Sequence, residues 1–107
     1  MIQITIYQDS DSHIVRFESL GHAEYADPGS DIVCAAVSAL VINTINSIET
    51  LTADRFSEDM QEAEGSIRFR METFGHDSQL LLKSLILGLE EMERNYSEYI
   101  DVIFEEV

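Results

Sequence analysis

The chain has 107 residues, 45% of them apolar, which predicts one folded domain over residues 1–107 and argues against disorder. Its 21 acidic residues outnumber six basic ones, so the formal net charge is −15. Such a surface repels phosphate backbones and argues against direct nucleic-acid binding, whereas it attracts a basic partner. Most of the acids are interpreted as a solvated, solubilising surface.

Cysteine content and hydropathy indicate the compartment. The only cysteine, Cys34, has no partner for an internal disulfide, so a reducing, cytoplasmic location is predicted. Residues 1–7 lack the basic start and long apolar run of a signal peptide. No stretch is interpreted as a membrane span of about 20 apolar residues, so no membrane partner is expected.

The first half of the chain predicts two strands, a loop and a long helix. Residues 2–8 alternate between isoleucine and polar side chains, and residues 14–20 predict a second strand hairpinned to the first. Residues 23–30 predict a loop, because Asp27-Pro28-Gly29 is a strong turn signal. A helix is expected from about 31 to 52, capped by Ser30 or Asp31 and buried on more than one face.

The second half predicts two strands, a second helix and a last strand. Residues 56–62 are weakly strand-like, and residues 67–72 alternate more clearly. The second helix is expected to start near Gly75, with Asp77 or Ser78 as its cap and Gly88 at a close approach between helices. Its predicted apolar face comprises Leu80, Leu81, Leu82, Leu85, Ile86, Leu89 and Met92.

A final strand over residues 99–104 completes the order ββαββαβ. This order predicts an α+β fold in which two helices pack on one small mixed or antiparallel sheet. The pattern alone does not determine the order of the strands in that sheet.

Cys34 is a candidate nucleophile. If Asp31 caps the helix, Cys34 is its third helical residue, where unpaired N–H groups and the macrodipole favour the thiolate. His22 lies 12 residues earlier, at a strand end, and the intervening turn could bring imidazole to thiol. Such a pair supplies what acyl transfer needs: the sulfur attacks a carbonyl and the imidazole protonates the leaving amine.

Neighbouring residues suggest supporting roles. The predicted helix end offers backbone N–H donors, including that of Cys34, to an oxyanion. Ser38 lies one turn further on and should face the same way, while Asp31 could orient His22 or cap the helix.

Simpler interpretations of the same residues stay open. Cys34 could be a small buried residue, His22 a surface histidine, and Ser38 a hydroxyl bonded back to its own helix. A metal site is also conceivable, but no metal or cofactor is predicted, because the spacing of the candidate ligands fits no standard zinc pattern. Those ligands are His22, Glu24, Asp27, Asp31 and Cys34.

Residues 21–38 carry a specific family resemblance. Two blocks and an intervening glycine resemble, at the same spacing, the signature of the bacterial ribosomal-processing cysteine protease family Prp. They are Gly21-His22-Ala23, Gly29, and Asp31-Ile32-Val33-Cys34-Ala35-Ala36-Val37-Ser38. The element order and length also fit over the whole chain.

The resemblance implies a function and a set of roles. Members remove an N-terminal extension from a large-subunit ribosomal protein during ribosome assembly and act as homodimers. It implies that Cys34 is the nucleophile and His22 its partner, with Gly21, Asp31 and Ser38 in support. The segment between base and nucleophile is expected to close over the substrate. It comprises Ala23, Glu24, Tyr25, Ala26, Asp27, Pro28, Gly29 and Ser30.

Two other functions are compatible with parts of the sequence. A non-catalytic ribosome-assembly adaptor would use the acidic surface to bind a basic ribosomal protein and would leave Cys34 merely packed. A thiol redox sensor would use Cys34, but the chain has no second cysteine to resolve the oxidised form.

Overall fold

The computed structural model describes residues 1–21, 28–61 and 65–107, without the side chains of residues 28–31. The elements follow the predicted order ββαββαβ. They are β1 (Ile2–Gln8), β2 (Ile14–Leu20), α1 (Pro28–Leu51), β3 (Phe56–Gln61), β4 (Ser66–Met71), α2 (His76–Asn95) and β5 (Ile100–Glu106). The predicted α+β fold is confirmed, with element boundaries that differ by a few residues.

The five strands form one mixed sheet in the order β3-β4-β2-β1-β5. Strands β1 and β2 form the predicted antiparallel hairpin, and β4 pairs antiparallel with both β2 and β3. Strand β5 pairs parallel to β1, which is the one parallel pairing among the described strands. The order brings the ends of β1, β2, β4 and β3 next to the helix that carries Cys34.

Both helices pack against the sheet, and inward-facing side chains form one core. The aromatic rings of Phe17, Phe69 and Phe56 stack in a row across β2, β4 and β3, with centroids 4.9 and 5.1 Å apart. Residue Gly88 lies at the predicted close approach of the helices, where an added Cβ would lie 3.2 Å from Leu40 Cδ1, the movable end of a side chain on α1. The core therefore joins the sheet to α1 and α2 as one packed unit.

Helix α1 starts earlier than predicted. It begins at Pro28, so residues 28–30 belong to its first turn rather than to a loop, and neither Ser30 nor Asp31 is the N-terminal cap. The physical reason is that the fixed φ of proline suits the first turn of a helix as well as it suits a turn. The remaining predicted loop residues, 23–27, lie outside the described residues.

Helix α1 is also less buried than its composition predicts. Among its described side chains, the buried ones form one stripe of Val33, Val37, Val41, Thr44, Ile45 and Ile48, while Ile32, Ile42 and Leu51 are exposed. The segment Ile32–Leu51 is long and apolar enough to cross a membrane by length and composition, contrary to the expectation that no stretch qualifies. Core helices of soluble proteins pass the same test, so this is weak support for a membrane span.

Helix α2 is anchored at its start by a carboxylate from outside the helix. Its N-cap is Gly75, and the predicted caps Asp77 and Ser78 lie inside the first turn. The Asp54 carboxylate instead accepts hydrogen bonds from Ser78 Oγ at 2.5 Å and Thr73 Oγ1 at 2.7 Å. It also accepts one from the Gly75 N–H at 3.0 Å. Leu80, predicted to be on the apolar face, is exposed.

A second anchor of α2 is the buried amide of Gln79. The Ile14 N–H donates to Gln79 Oε1 at 2.7 Å, and Gln79 Nε2 donates to the Ile14 carbonyl at 2.9 Å. The side chain thereby pairs both backbone groups at the start of β2. Together with Asp54 it fixes the helix against the sheet.

We expect Asp54 to make the stability of the protein pH-dependent in acid. The hydrogen bonds from Ser78, Thr73 and Gly75 hold the pKa of this carboxyl below its usual value of 3.8. Because the pKa of Asp54 is lower in the folded than in the unfolded protein, the ionised carboxylate stabilises the fold fully at a pH above its unfolded-state pKa. This stabilisation is lost as the pH falls through the folded-state pKa. Asp54→Asn should lower the free energy of unfolding at pH 7 by about 1 kcal/mol. This deficit should shrink below about pH 4.

Urea denaturation of both proteins between pH 7 and pH 3 measures this difference. Asp11→Asn, at an exposed aspartate of the β1–β2 turn, is the control and should follow the wild type. An Asp54→Asn deficit that stays constant over the whole pH range would contradict the assignment.

Candidate active site

A cleft of about 220 Å³ lies between the first half of α1 and one end of the sheet. Its described lining comes from three sequence regions that the fold brings together. They are Ile2, Ser19 and Gly21; Cys34, Val37, Ser38 and Ile42; and Met60, Gly65, Ser66 and Ile67. The cleft is therefore mostly apolar, with a thiol and three hydroxyl-bearing residues among its lining.

Cys34 and Ser38 both line this cleft, as their spacing of one helical turn predicts. Cys34 is a free cysteine, half-buried and packed against the core. A half-buried thiol that lines a cleft is partly exposed to a molecule bound there. The alternative interpretation, that Cys34 is a small residue packed against the core, is compatible with this partial burial as well.

The position of Cys34 within α1 differs from the prediction. Counting from Pro28, it is the seventh helical residue and lies in the second turn. In the regular α-helical pattern its N–H pairs with the carbonyl four residues earlier, so it is not a free oxyanion donor. The macrodipole also acts mainly within the first turn. The helix-end argument for the reactivity of Cys34 therefore loses most of its force.

The described lining of the cleft contains no ionisable side chain other than the thiol of Cys34. His22 and residues 23–27 lie outside the described residues, as does the side chain of Asp31. Any acid or base that acts with Cys34 therefore comes from outside this described lining, and the side chains outside the description that neighbour it in the chain include Glu62 and Glu64 as well as His22 and Asp31.

Gly21 occupies a position in the cleft wall that requires glycine. Its φ of +93° is in the region that side chains rarely adopt, and an added Cβ would lie 2.5 Å from the Met1 carbonyl oxygen. The end of β2 can thus approach the start of β1 closely, directly before His22 in the chain.

Sequence reasoning missed several residues of the cleft. Ser19 is buried on β2 and is paired with Ile4 and Ile67. The alternating pattern of β2 predicts an apolar residue at this position, so a serine there was a usable signal of a functional site. Ser66 is buried too, and its Oγ has no hydrogen-bond partner among the described residues. No sequence signal identified Met60 and Ile67, because strand pairing alone brings them to the cleft.

One group of potential metal ligands exists elsewhere among the described residues. Ligand atoms of Asp9, Asp11 and His13 lie within 4.8 Å of one another in the turn between β1 and β2. This turn is at the opposite end of those strands from the cleft, so the group does not bear on Cys34.

Comparison with known proteins identifies the family. The sequence profile described as cysteine protease Prp matches residues 1–101. The chain belongs to the cysteine protease Prp family. A ribosomal processing cysteine protease Prp of Bacillus subtilis (strain 168) is 36% identical over 107 residues, which cover 95% of this chain and 96% of the relative. A Prp of Staphylococcus aureus (strain Mu50) is 30% identical over 101 residues, covering 94% and 95%.

Solved Prp structures share the fold. The S. aureus Prp in complex with a covalently linked product peptide has a TM-score of 0.90 and 28% identity, covering 98% of this chain and all of that one. The same enzyme with a substrate peptide has a TM-score of 0.92 and 27% identity, with the same coverage. The predicted family membership and the predicted class of enzyme, a cysteine protease, are thus confirmed.

We expect Gly21→Ala to destabilise this Prp. Alanine would combine a disfavoured φ with a contact to backbone that cannot move independently, so the free energy of unfolding should fall by about 1–3 kcal/mol. Urea denaturation measures this loss. Gly88→Ala is a matched control, because its Cβ would meet only the flexible end of Leu40 and helix propensity favours alanine. Equal losses in the two variants would contradict the role given to Gly21.

Proposed function

We propose that this Prp is a site-specific endopeptidase that removes an N-terminal extension from a large-subunit ribosomal protein during ribosome assembly. The single observation that carries the proposal is the half-buried thiol of Cys34 in a cleft between helix and sheet. The relatives are named ribosomal processing cysteine proteases, and the S. aureus enzyme has been captured with substrate and with covalently linked product peptide.

In the proposed reaction, the Cys34 thiolate attacks the scissile carbonyl carbon and forms a tetrahedral intermediate. Protonated His22 gives its proton to the leaving amine as the C–N bond breaks, which leaves a thioester on Cys34. Neutral His22 then accepts a proton from water, and the resulting hydroxide displaces the sulfur to release the acid product. We assign to Asp31 the orientation of His22, because Asp31 is not the cap of α1.

The cleft lining supports an apolar side chain of the substrate beside the scissile bond. Ile2, Val37, Met60 and Ile67 contribute apolar surface, and the described lining lacks a charge other than an ionised Cys34. Burying a charged substrate side chain there would cost free energy, whereas burying an apolar one contributes about 25 cal/mol of favourable free energy per Å² of surface removed from water. Ser19 and Ser38 are polar groups available to the substrate backbone.

The composition and charge of the protein suggest where it acts and what it binds. The protein acts as one protease domain in the cytoplasm, where its only cysteine stays reduced, and it requires no cofactor or metal. Its charge of −15 speeds the encounter with a strongly basic ribosomal protein and disfavours nucleic acid or an anionic membrane surface as a direct partner.

We expect Cys34→Ala to lower cleavage of the ribosomal protein by at least about a thousandfold while the protein stays folded. His22→Ala should also abolish efficient cleavage, and it should slow alkylation of Cys34 by iodoacetamide near pH 7, since the imidazolium no longer stabilises the thiolate. Mass spectrometry of the new N-terminus and of the alkylated protein provides both measurements.

Thermal denaturation of both variants controls for loss of structure. Cleavage by folded Cys34→Ala would refute the assigned nucleophile, and unchanged alkylation in His22→Ala would refute the pairing. Full cellular function of Cys34→Ser would favour the non-catalytic adaptor instead.

We also propose a homodimer formed through the exposed stripe of α1. Ile32 is 60% exposed and Ile42 is 42% exposed, and the exposed residues Ala35 and Ala39 lie between them at helical spacing. An apolar helix stripe left in water is costly, and its small residues would allow the same stripe of a second copy to approach closely.

We expect Ala39→Glu to convert the dimer to a monomer, because it places a pair of carboxylates across the proposed interface. Sedimentation equilibrium measures the change in mass. Leu87→Glu, at an exposed apolar residue of α2, is the matched control and should remain dimeric. A dimer that tolerates Ala39→Glu but is lost in Leu87→Glu would place the interface on α2.

A further inference from the structure

Strand β3 is an edge strand that ends at the catalytic cleft. It pairs with β4 on one side, and no strand of the described chain pairs with its other side. All residues of β3 after Phe56 are exposed. The N–H and C=O groups that point away from β4 are thus available to an added strand.

The floor of the cleft continues to this edge. Ser19 on β2 is paired with Ile67 on β4, and Ile67 is paired with Met60 on β3, so the three residues form one row across the sheet. All three line the cleft that contains Cys34. Strand β5, at the other edge of the sheet, contributes no residue to the described lining.

The edge carries negative charge next to the cleft. Glu58 and Asp59 are exposed, adjacent residues of β3, so their side chains extend to opposite faces of the sheet. Neither forms a salt bridge with a described residue, although Asp59 accepts a hydrogen bond from Gln61 Nε2 at 2.9 Å. A basic residue directly opposite either one on an added strand would lie about 5 Å away between Cβ atoms.

We infer that the free edge of β3 binds the basic polypeptide substrate as an additional strand. The part of the substrate outside the cleft pairs its backbone with Phe56–Gln61, and Glu58 and Asp59 select lysine or arginine on that segment. A strand of this length spans about 20 Å. The inference rests on the proposed function and adds to it the surface that holds the substrate beyond the scissile bond.

Backbone methylation of the substrate tests the pairing. The probe is a peptide that spans the cleavage site of the ribosomal protein and extends six residues to either side, with one amide N-methylated at a time. On one side of the cleavage site, methylation at every second position outside the cleft should raise KM by about two- to tenfold. The effect alternates because only every second N–H group of an added strand faces β3.

The outcomes separate this inference from the proposed function. If the unmethylated peptide is cleaved but methylation outside the cleft has no alternating effect, the β3 inference is overturned and the protease assignment stands. If the wild-type protein leaves the unmethylated peptide intact, the proposed function fails and the inference fails with it.

A charge variant tests the selection of basic residues. Glu58→Gln should lower kcat/KM for the extended peptide relative to a peptide that spans only the cleft, by about two- to fivefold. The relative loss should disappear when the lysines and arginines of the extension are replaced by glutamine. Glu105→Gln removes an exposed glutamate from the other edge strand and should leave the ratio unchanged. An equal effect of both variants would indicate attraction by overall charge and would overturn the selection by β3.

Discussion

The packing of α1 on the sheet determines the position of the Cys34 thiol. Val33, Val37 and Val41 are buried at steps of four residues, and each contributes roughly 1.5–3 kcal/mol by leaving water. Cys34 and Ser38 follow the first two valines by one position, which is about 100° around the helix. The rotation that buries the valines therefore places the thiol and hydroxyl at the margin of the core. A different rotation would lose both the burial and the site.

The floor of the cleft, which the sheet forms opposite α1, depends on strand register in the same way. Ser19, Ile67 and Met60 are far apart in sequence and become neighbours because β2, β4 and β3 pair in one register. A shift of one residue would turn each side chain to the other face of the sheet. The stacked rings of Phe17, Phe69 and Phe56 make such a shift costly, since they occupy the same three strands two or four residues away. Core packing thus specifies the cleft without contributing a catalytic group.

The sequence predicts local features of this molecule better than those that depend on distant pairing. The alternation of isoleucines in β1 and the spacing of Cys34 and Ser38 suffice to place a strand and two side chains correctly. The start of α1 was predicted wrongly because proline and glycine suit both a turn and a first helical turn. The strand order and the contribution of Met60 depend on pairings between residues far apart in the chain, which no local pattern records. The anchoring of α2 by Asp54 was missed for the same reason.

Negative charge is unevenly distributed around the cleft. The protein carries a formal charge of −15, yet the described lining around Cys34 contains no carboxylate. A carboxylate there would oppose the negative charge on an attacking sulfur, whereas one beyond about 8 Å is largely screened at physiological ionic strength. The exposed acids Glu58 and Asp59 precede the lining residue Met60 on the edge strand β3. Among the described residues, carboxylates therefore stand on the exposed edge of the sheet, where they attract a basic polypeptide, and not in the lining around the Cys34 thiol.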